Sequence, residues 1–148
     1  MKSLIVLACA FVAANAISKG VIEQFVNQVK DIGGKCIGET NAKPDDIGSL
    51  LSHKIPDSHE GKCLLFCIHK GFNFQNADGS LNGQGALKML DPLKEDDPEA
   101  YEKLRNIAIT CGAKVTIDSD PCQTASNIAQ CVFDEAKANG FSSDMFEI

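Results

Sequence analysis

Asp57-Ser58-His59-Glu60-Gly61-Lys62-Cys63-Leu64-Leu65-Phe66-Cys67-Ile68-His69-Lys70-Gly71 carries the strongest structural signal in the chain. Its first four residues have the character of a helix N-cap and first turn, and Gly71 offers a stop. Cys63 and Cys67 are four apart, so on a helix both thiols share one face, about 40° apart at roughly 100° per residue. Parallel side chains on one helix are badly placed to bond to each other, so each sulfur must reach a different segment. Cys122 and Cys131 are nine apart, roughly 900° of helical rotation, which puts them on opposite faces. A chain of this kind ties helices to helices.

Helical signals continue on both sides. Val21, Ile22, Phe25, Val26, Val29 and Ile32 recur at helical spacing, with Gly33-Gly34 as a stop. A short helix follows Pro44, carrying Ile47, Leu50 and Leu51. A polar loop spans Asn73 to Gly85, and Ala86 to Leu90 reads as another helical piece. Asp97-Pro98-Glu99 sets a cap, a first-position proline and an acidic first turn ahead of Ala100, Tyr101, Leu104, Ile107, Ala108 and Cys111, with Gly112 closing the helix. Asp120-Pro121 repeats the device before Cys122, Ala125, Ile128, Ala129, Val132, Phe133 and Ala136, closed by Gly140. Only Lys114 to Ile117 hints at extension. The fold class is all-α, in one domain with no internal repeat.

The N-terminus reads as a secretory leader. Met1-Lys2 gives a positive start, Leu4 to Ala14 an apolar run too short to span a bilayer, and Ala14-Asn15-Ala16 a small-residue cleavage site. Residues 1–16 are therefore expected to be a signal peptide and 17–148 the folded domain. Cleavage removes Cys9, so that seven cysteines become an even six: Cys36, Cys63, Cys67, Cys111, Cys122 and Cys131. The protein is expected to be secreted and extracellular, where disulfides persist. Six cysteines allow 15 pairings. Excluding Cys63–Cys67 and Cys122–Cys131 leaves ten, and geometry stops there. The formal net charge of −6 argues against nucleic acid or an anionic membrane as partner, since both demand basic surface. No Asn-x-Ser/Thr sequon is present.

Intervals of 26, 3, 43, 10 and 8 residues between the six cysteines, together with the leader and the helical pattern, resemble the six-cysteine insect odorant-binding proteins. The run Cys67-Ile68-His69-Lys70-Gly71-Phe72, followed by Asp78-Gly79-Ser80-Leu81-Asn82 and Ala86-Leu87, is also similar to that family. The likeness covers the whole chain after residue 16. It implies about six helices around an apolar cavity, stapled by three interlocked disulfides: Cys36–Cys67, Cys63–Cys122 and Cys111–Cys131. It further implies an extracellular carrier of small hydrophobic molecules (odorants, pheromones or related lipids) that delivers them to a membrane odorant receptor, working as a monomer or weak homodimer.

Within that frame Phe25 and Phe66 read as core. Phe72, Phe74, Leu87, Leu90, Leu104, Ile107, Ala108, Ile128, Val132 and Phe133 are the candidates to line the cavity, and Tyr101 is the candidate to donate a hydrogen bond to a ligand oxygen. After Gly140 the segment 141–148 carries Phe141, Met145, Phe146 and Ile148. It is too apolar for an ordinary solvated tail, so Phe141 and Phe146 join the set as part of a C-terminal lid. His53, His59 and His69, with Asp144 and Glu147, are the groups through which mild acid could loosen such a lid.

Other chemistries lack their residues. The loop starting at Asp78 would need a bidentate glutamate where Met89 stands, so it fails as a calcium site. His59, Cys63, Cys67 and His69 are a poor zinc set in a secreted chain, and no metal or cofactor is expected. Neither a nucleophile elbow, a phosphate loop nor a metalloprotease helix occurs, and no histidine has the calcium-loop context of a secreted phospholipase. An enzyme is not expected. Two non-catalytic alternatives remain: a secreted scavenger of amines or lipids, and a protein-binding module with an exposed apolar patch instead of a cavity.

Overall fold

The computed structural model describes residues 17–141, and these form seven helices: α1 Lys19–Thr40, α2 Pro44–Leu51, α3 His59–Gly71, α4 Gly83–Met89, α5 Leu93–Asp96, α6 Pro98–Lys114 and α7 Pro121–Ala138. The residues expected to be a leader, and Phe146 with most of the expected lid, lie outside the described residues. Among those described there is no strand, only an isolated bridge between Gln75 and Leu81. No described helix is long and apolar enough to cross a membrane.

The caps work as the sequence predicts. Asp97 accepts from the Ala100 N–H and Asp120 from the Cys122 N–H, each ahead of a first-position proline. Ser58 accepts from the Gly61 N–H and in turn donates to Asp46 Oδ1 at 2.6 Å. Asp46 also accepts from the Lys43 N–H that precedes α2. One buried carboxylate thereby fastens the start of α2 to the start of α3. The Ser58 hydroxyl, then the Lys43 N–H, holds it below the usual carboxylate range. Gly61 makes this approach feasible: a Cβ there would lie 2.4 Å from Pro56 Cβ and 2.7 Å from Asp46 Oδ1.

Gly33-Gly34 does not end the first helix, contrary to the expectation. The helix continues to Thr40 and ends at Asn41 in the left-handed region, φ 55°. Glycine weakens a helix by about 1 kcal/mol relative to alanine, and tertiary contacts on both sides outweigh that. Ile32 packs where a Cβ on Gly71 would lie, only 2.5 Å from its Cγ2, and Cys36 is bonded to Cys67. Gly112 likewise lies inside α6, which reaches Lys114, and Val115 is extended but unpaired in any sheet. The four-residue α5 was not signalled.

The disulfides are Cys36–Cys67, Cys63–Cys122 and Cys111–Cys131. They join α1 to α3, α3 to α7 and α6 to α7. The four-residue spacing in α3 therefore serves two different neighbours, and the nine-residue spacing in α7 serves opposite sides. The most extensive packing is between α3 and α7. Against this pair α1 and α2 lie on α3, α6 lies on α7, and α4 and α5 lie on α6.

Candidate functional site

The innermost contact is made by small residues. Ala125 and Ala129 of α7 are buried against Leu65 of α3, and Leu50, Ile55, Phe66 and Phe133 pack around them. Phe66 thus stands at the core, as expected. This centre is small for seven helices, and several apolar residues beyond it are only half-buried. On α6, Ala100, Ile107 and Cys111 are buried, whereas Leu104 and Ala108 in the same stripe are only half-buried. On α7, Ile128 and Val132 are half-buried beside the buried Ala125 and Ala129. Leu87 of α4 is half-buried and Leu90 is buried. Residues 104 and 108, and again 128 and 132, are one helical turn apart and share a face. The helices α4, α6 and α7 therefore present apolar side chains that the protein's own packing leaves partly open.

A second grouping lies at the C-terminal end of α3. Phe25 of α1 stacks on Phe72 at 5.9 Å between ring centroids, and Phe72 stacks on Phe74 at 5.6 Å. Phe25, read as plain core, is half-buried at the end of this aromatic run. Gly85 comes within reach of the same turn. A Cβ on it would overlap the Asn73 carbonyl oxygen at 2.0 Å, so only glycine lets α4 begin there.

His69 holds this corner together. It is buried, and its Nδ1–H donates to Gln75 Oε1 at 2.9 Å. The Gln75 amide donates onward to the carbonyls of Gly79 and Pro121, linking α3, the loop and the start of α7. Burial disfavours the charged imidazole and lowers the His69 pKa to about 4, partly opposed by the bond to Gln75. His69 therefore stays neutral in mild acid. His53, at φ 54°, sets its ring edge-on to Phe133 at 5.7 Å. His59 pairs with Asp120 at 3.5 Å. Neither His69, Gln75 nor Asp46 was legible as a structural group, because their partners lie on other turns and carry no periodic signal.

The remaining candidates take varied places. Tyr101 is half-buried with Lys94 Nζ above its ring at 5.5 Å, and Lys94 is ion-paired to Asp91. Phe141 is half-buried and returns a backbone hydrogen bond to Ala136 past Gly140, which sits at φ +81°. Two outer concavities, of about 220 Å³ along α1 and about 370 Å³ between Lys114 and Asp134, contain no described residue of the candidate set. Of the imagined zinc ligands, Cys63 and Cys67 are consumed in separate disulfides and His69 is spent on Gln75. His59 does lie close to Cys63 and Cys122, but those two sulfurs are bonded to each other.

Residues 18–135 match the model of the PBP/GOBP family. The chain is 27% identical over 110 residues to general odorant-binding protein 19d of Drosophila melanogaster, covering 74% of this chain and 73% of that protein. It is also 27% identical over 105 residues to general odorant-binding protein 28a of the same fly, covering 71% and 73%. Among solved structures, an odorant-binding protein of Drosophila melanogaster superposes with a TM-score of 0.70 at 22% identity, covering 82% of this chain and 99% of that one. A pheromone-binding protein of the cockroach Leucophaea maderae, in complex with the fluorescent reporter 1-anilinonaphthalene-8-sulfonic acid, superposes with a TM-score of 0.61 at 20% identity, covering 80% and 98%.

Proposed function

Because the chain belongs to the PBP/GOBP family, whose members bind small hydrophobic ligands, we propose that it is a secreted carrier holding such a ligand in an apolar cavity between α4, α6 and α7. The observation that carries this reading is the interrupted burial along α6 and α7. Leu104, Ala108, Ile128 and Val132 lie in the same stripes as buried residues, yet stay half-buried. A ligand among them would complete the burial. Each Å² of apolar surface removed from water is worth about 25 cal/mol, and one or two polar groups would set orientation. Leu87 and Leu90 form the wall from α4, and Ile107 backs the site from α6.

On this reading Phe72, Phe74 and Phe133 belong to the flanks of the site, and Tyr101 is the candidate hydrogen-bond donor to a ligand oxygen. Of the segment expected to cover it, only Phe141 lies within the described residues, where it is half-buried. Three disulfides suit this task, because a cavity removes contacts that would otherwise hold the helices together. Bridges also suit an extracellular protein. The carrier delivers its ligand to a membrane receptor and functions as a monomer or weak homodimer.

The test is displacement of an environment-sensitive fluorescent probe from the oxidised protein by alkanols, esters, fatty acids and amines. The chain has no tryptophan, so the probe must be extrinsic. Saturable micromolar displacement by apolar compounds is expected. Preference for amines would mark a scavenger instead, and folded protein that takes up no probe would overturn the carrier reading.

A further inference from the structure

The three bridges differ in what stands beside their sulfurs. At Cys63–Cys122, His59 Nε2 is 3.5 Å from Cys63 Sγ, and one imidazole nitrogen lies within 4.8 Å of both sulfurs. The ring's other nitrogen, Nδ1, is oriented by Asp120, whose Oδ2 is 3.5 Å away. A carboxylate, an imidazole and a sulfur thus stand in the order that activates a cysteine in nucleophilic catalysis. At Cys36–Cys67 the neighbour is opposite in kind: Glu39 Oε2 lies 3.6 Å from Cys67 Sγ. That negative charge repels an incoming thiolate and offers no proton store. At Cys111–Cys131, Lys114 lines the same outer hollow as Cys131, and its amine is held by Glu135.

We propose that Cys63–Cys122 is a site of thiol–disulfide exchange with low-molecular-weight thiols, in which His59 carries the proton and Asp120 positions it. His59 is exposed and Cys63 is the half-buried partner of the bridge, whereas Cys122 is buried. The incoming thiol R–SH gives its proton to His59, and its sulfur attacks Cys63 Sγ. The Cys63–Cys122 bond breaks and its electron pair goes to Cys122 Sγ. That thiolate stands in the first turn of the 18-residue α7, where the helix N-terminus favours negative charge, and it then takes the proton from His59. The products are R–S–S–Cys63 and Cys122–SH. One thiol and one disulfide give one thiol and one disulfide, so no outside oxidant or reductant is needed. Opening this bridge unties α3 from α7, the pair with the most extensive packing, and so links thiol exposure to the walls of the core.

The experiment exposes the native oxidised protein to excess glutathione, quenches with acid, and maps adducts and free thiols by alkylation and peptide mass spectrometry. Glutathione on Cys63 and a free thiol at Cys122 are expected before any change at the other two bridges. His59→Gln should slow this exchange about tenfold, below the usual hundredfold or more of general acid–base catalysis because the imidazole is exposed. The other bridges are internal controls, since a loss of stability would hasten all three, whereas loss of the proton carrier slows one. First opening at Cys36–Cys67 or Cys111–Cys131 would overturn the proposal, as would equal rates at all three. So would an unchanged or faster rate in His59→Gln, or no exchange at any bridge of the folded protein.

Discussion

Acid should destabilise this protein through His69, in a window that its burial defines. An ordinary histidine titrates near 6.5, and in the folded chain the His69 value is lowered to about 4. Between those values the unfolded chain binds a proton that the folded one refuses. Stability is therefore full above about pH 6.5, falls as the pH drops through the window, and ceases to fall from this cause below about pH 4. At about 1.36 kcal/mol per pH unit, the full loss is about 3 kcal/mol. For a domain of this size that amounts to a fall in Tm of about 10 °C. The assay is thermal unfolding of the oxidised protein by circular dichroism at a series of pH values from 7.5 to 4. His69→Gln keeps an amide donor for Gln75 but cannot titrate, so it should lower Tm at neutral pH and flatten the profile across the window. A wild-type Tm that does not move between pH 6.5 and 4 would show that His69 does not set this dependence, as would an equal slope in His69→Gln.

Further outcomes follow from single contacts. Gly85→Ala should cost about 3 kcal/mol or more in urea unfolding, because its Cβ would lie 2.0 Å from the Asn73 carbonyl oxygen and backbone cannot yield cheaply. Asp97→Ala should cost about 1 kcal/mol by the same measurement, through loss of the α6 cap at the Ala100 N–H. Replacing Cys36 and Cys67 together by serine should lower unfolding stability by about 3–4 kcal/mol, the chain-entropy value for a separation of 31 residues.

The parts of the fold legible in the sequence are those set by neighbours along the chain. Asp97-Pro98, Asp120-Pro121 and Ser58 announce helix starts because a cap and its N–H lie two or three residues apart. The cysteine spacings announce helices joined to helices, since a face is fixed by residue number alone. Gly33-Gly34 misled because local preference is weak, and α1 is carried past it by Ile32 against Gly71 and by the bridge at Cys36. The His69–Gln75–Pro121 chain was invisible for a related reason, its last link spanning 46 residues. His59 and Cys63 share a visible one-turn spacing, but Asp120 joins them only through the packing of α3 on α7. For the site, the helical stripes of α6 and α7 were readable, but not which of their members would stay partly open. Ile107 closed and Leu104 did not, a difference set by how neighbouring helices sit.

Ligand binding between α4, α6 and α7 is checked by a fluorescent-probe titration of Ala108→Phe beside the wild type, with Tm recorded for both. Ala108 is half-buried between Leu104 and Cys111 on the face that the ligand is proposed to cover. A phenylalanine there occupies ligand space without adding charge. If the ligand lies there, Tm holds or rises while probe affinity falls at least tenfold. Unchanged affinity in a variant of unchanged Tm would place the ligand elsewhere and contradict it.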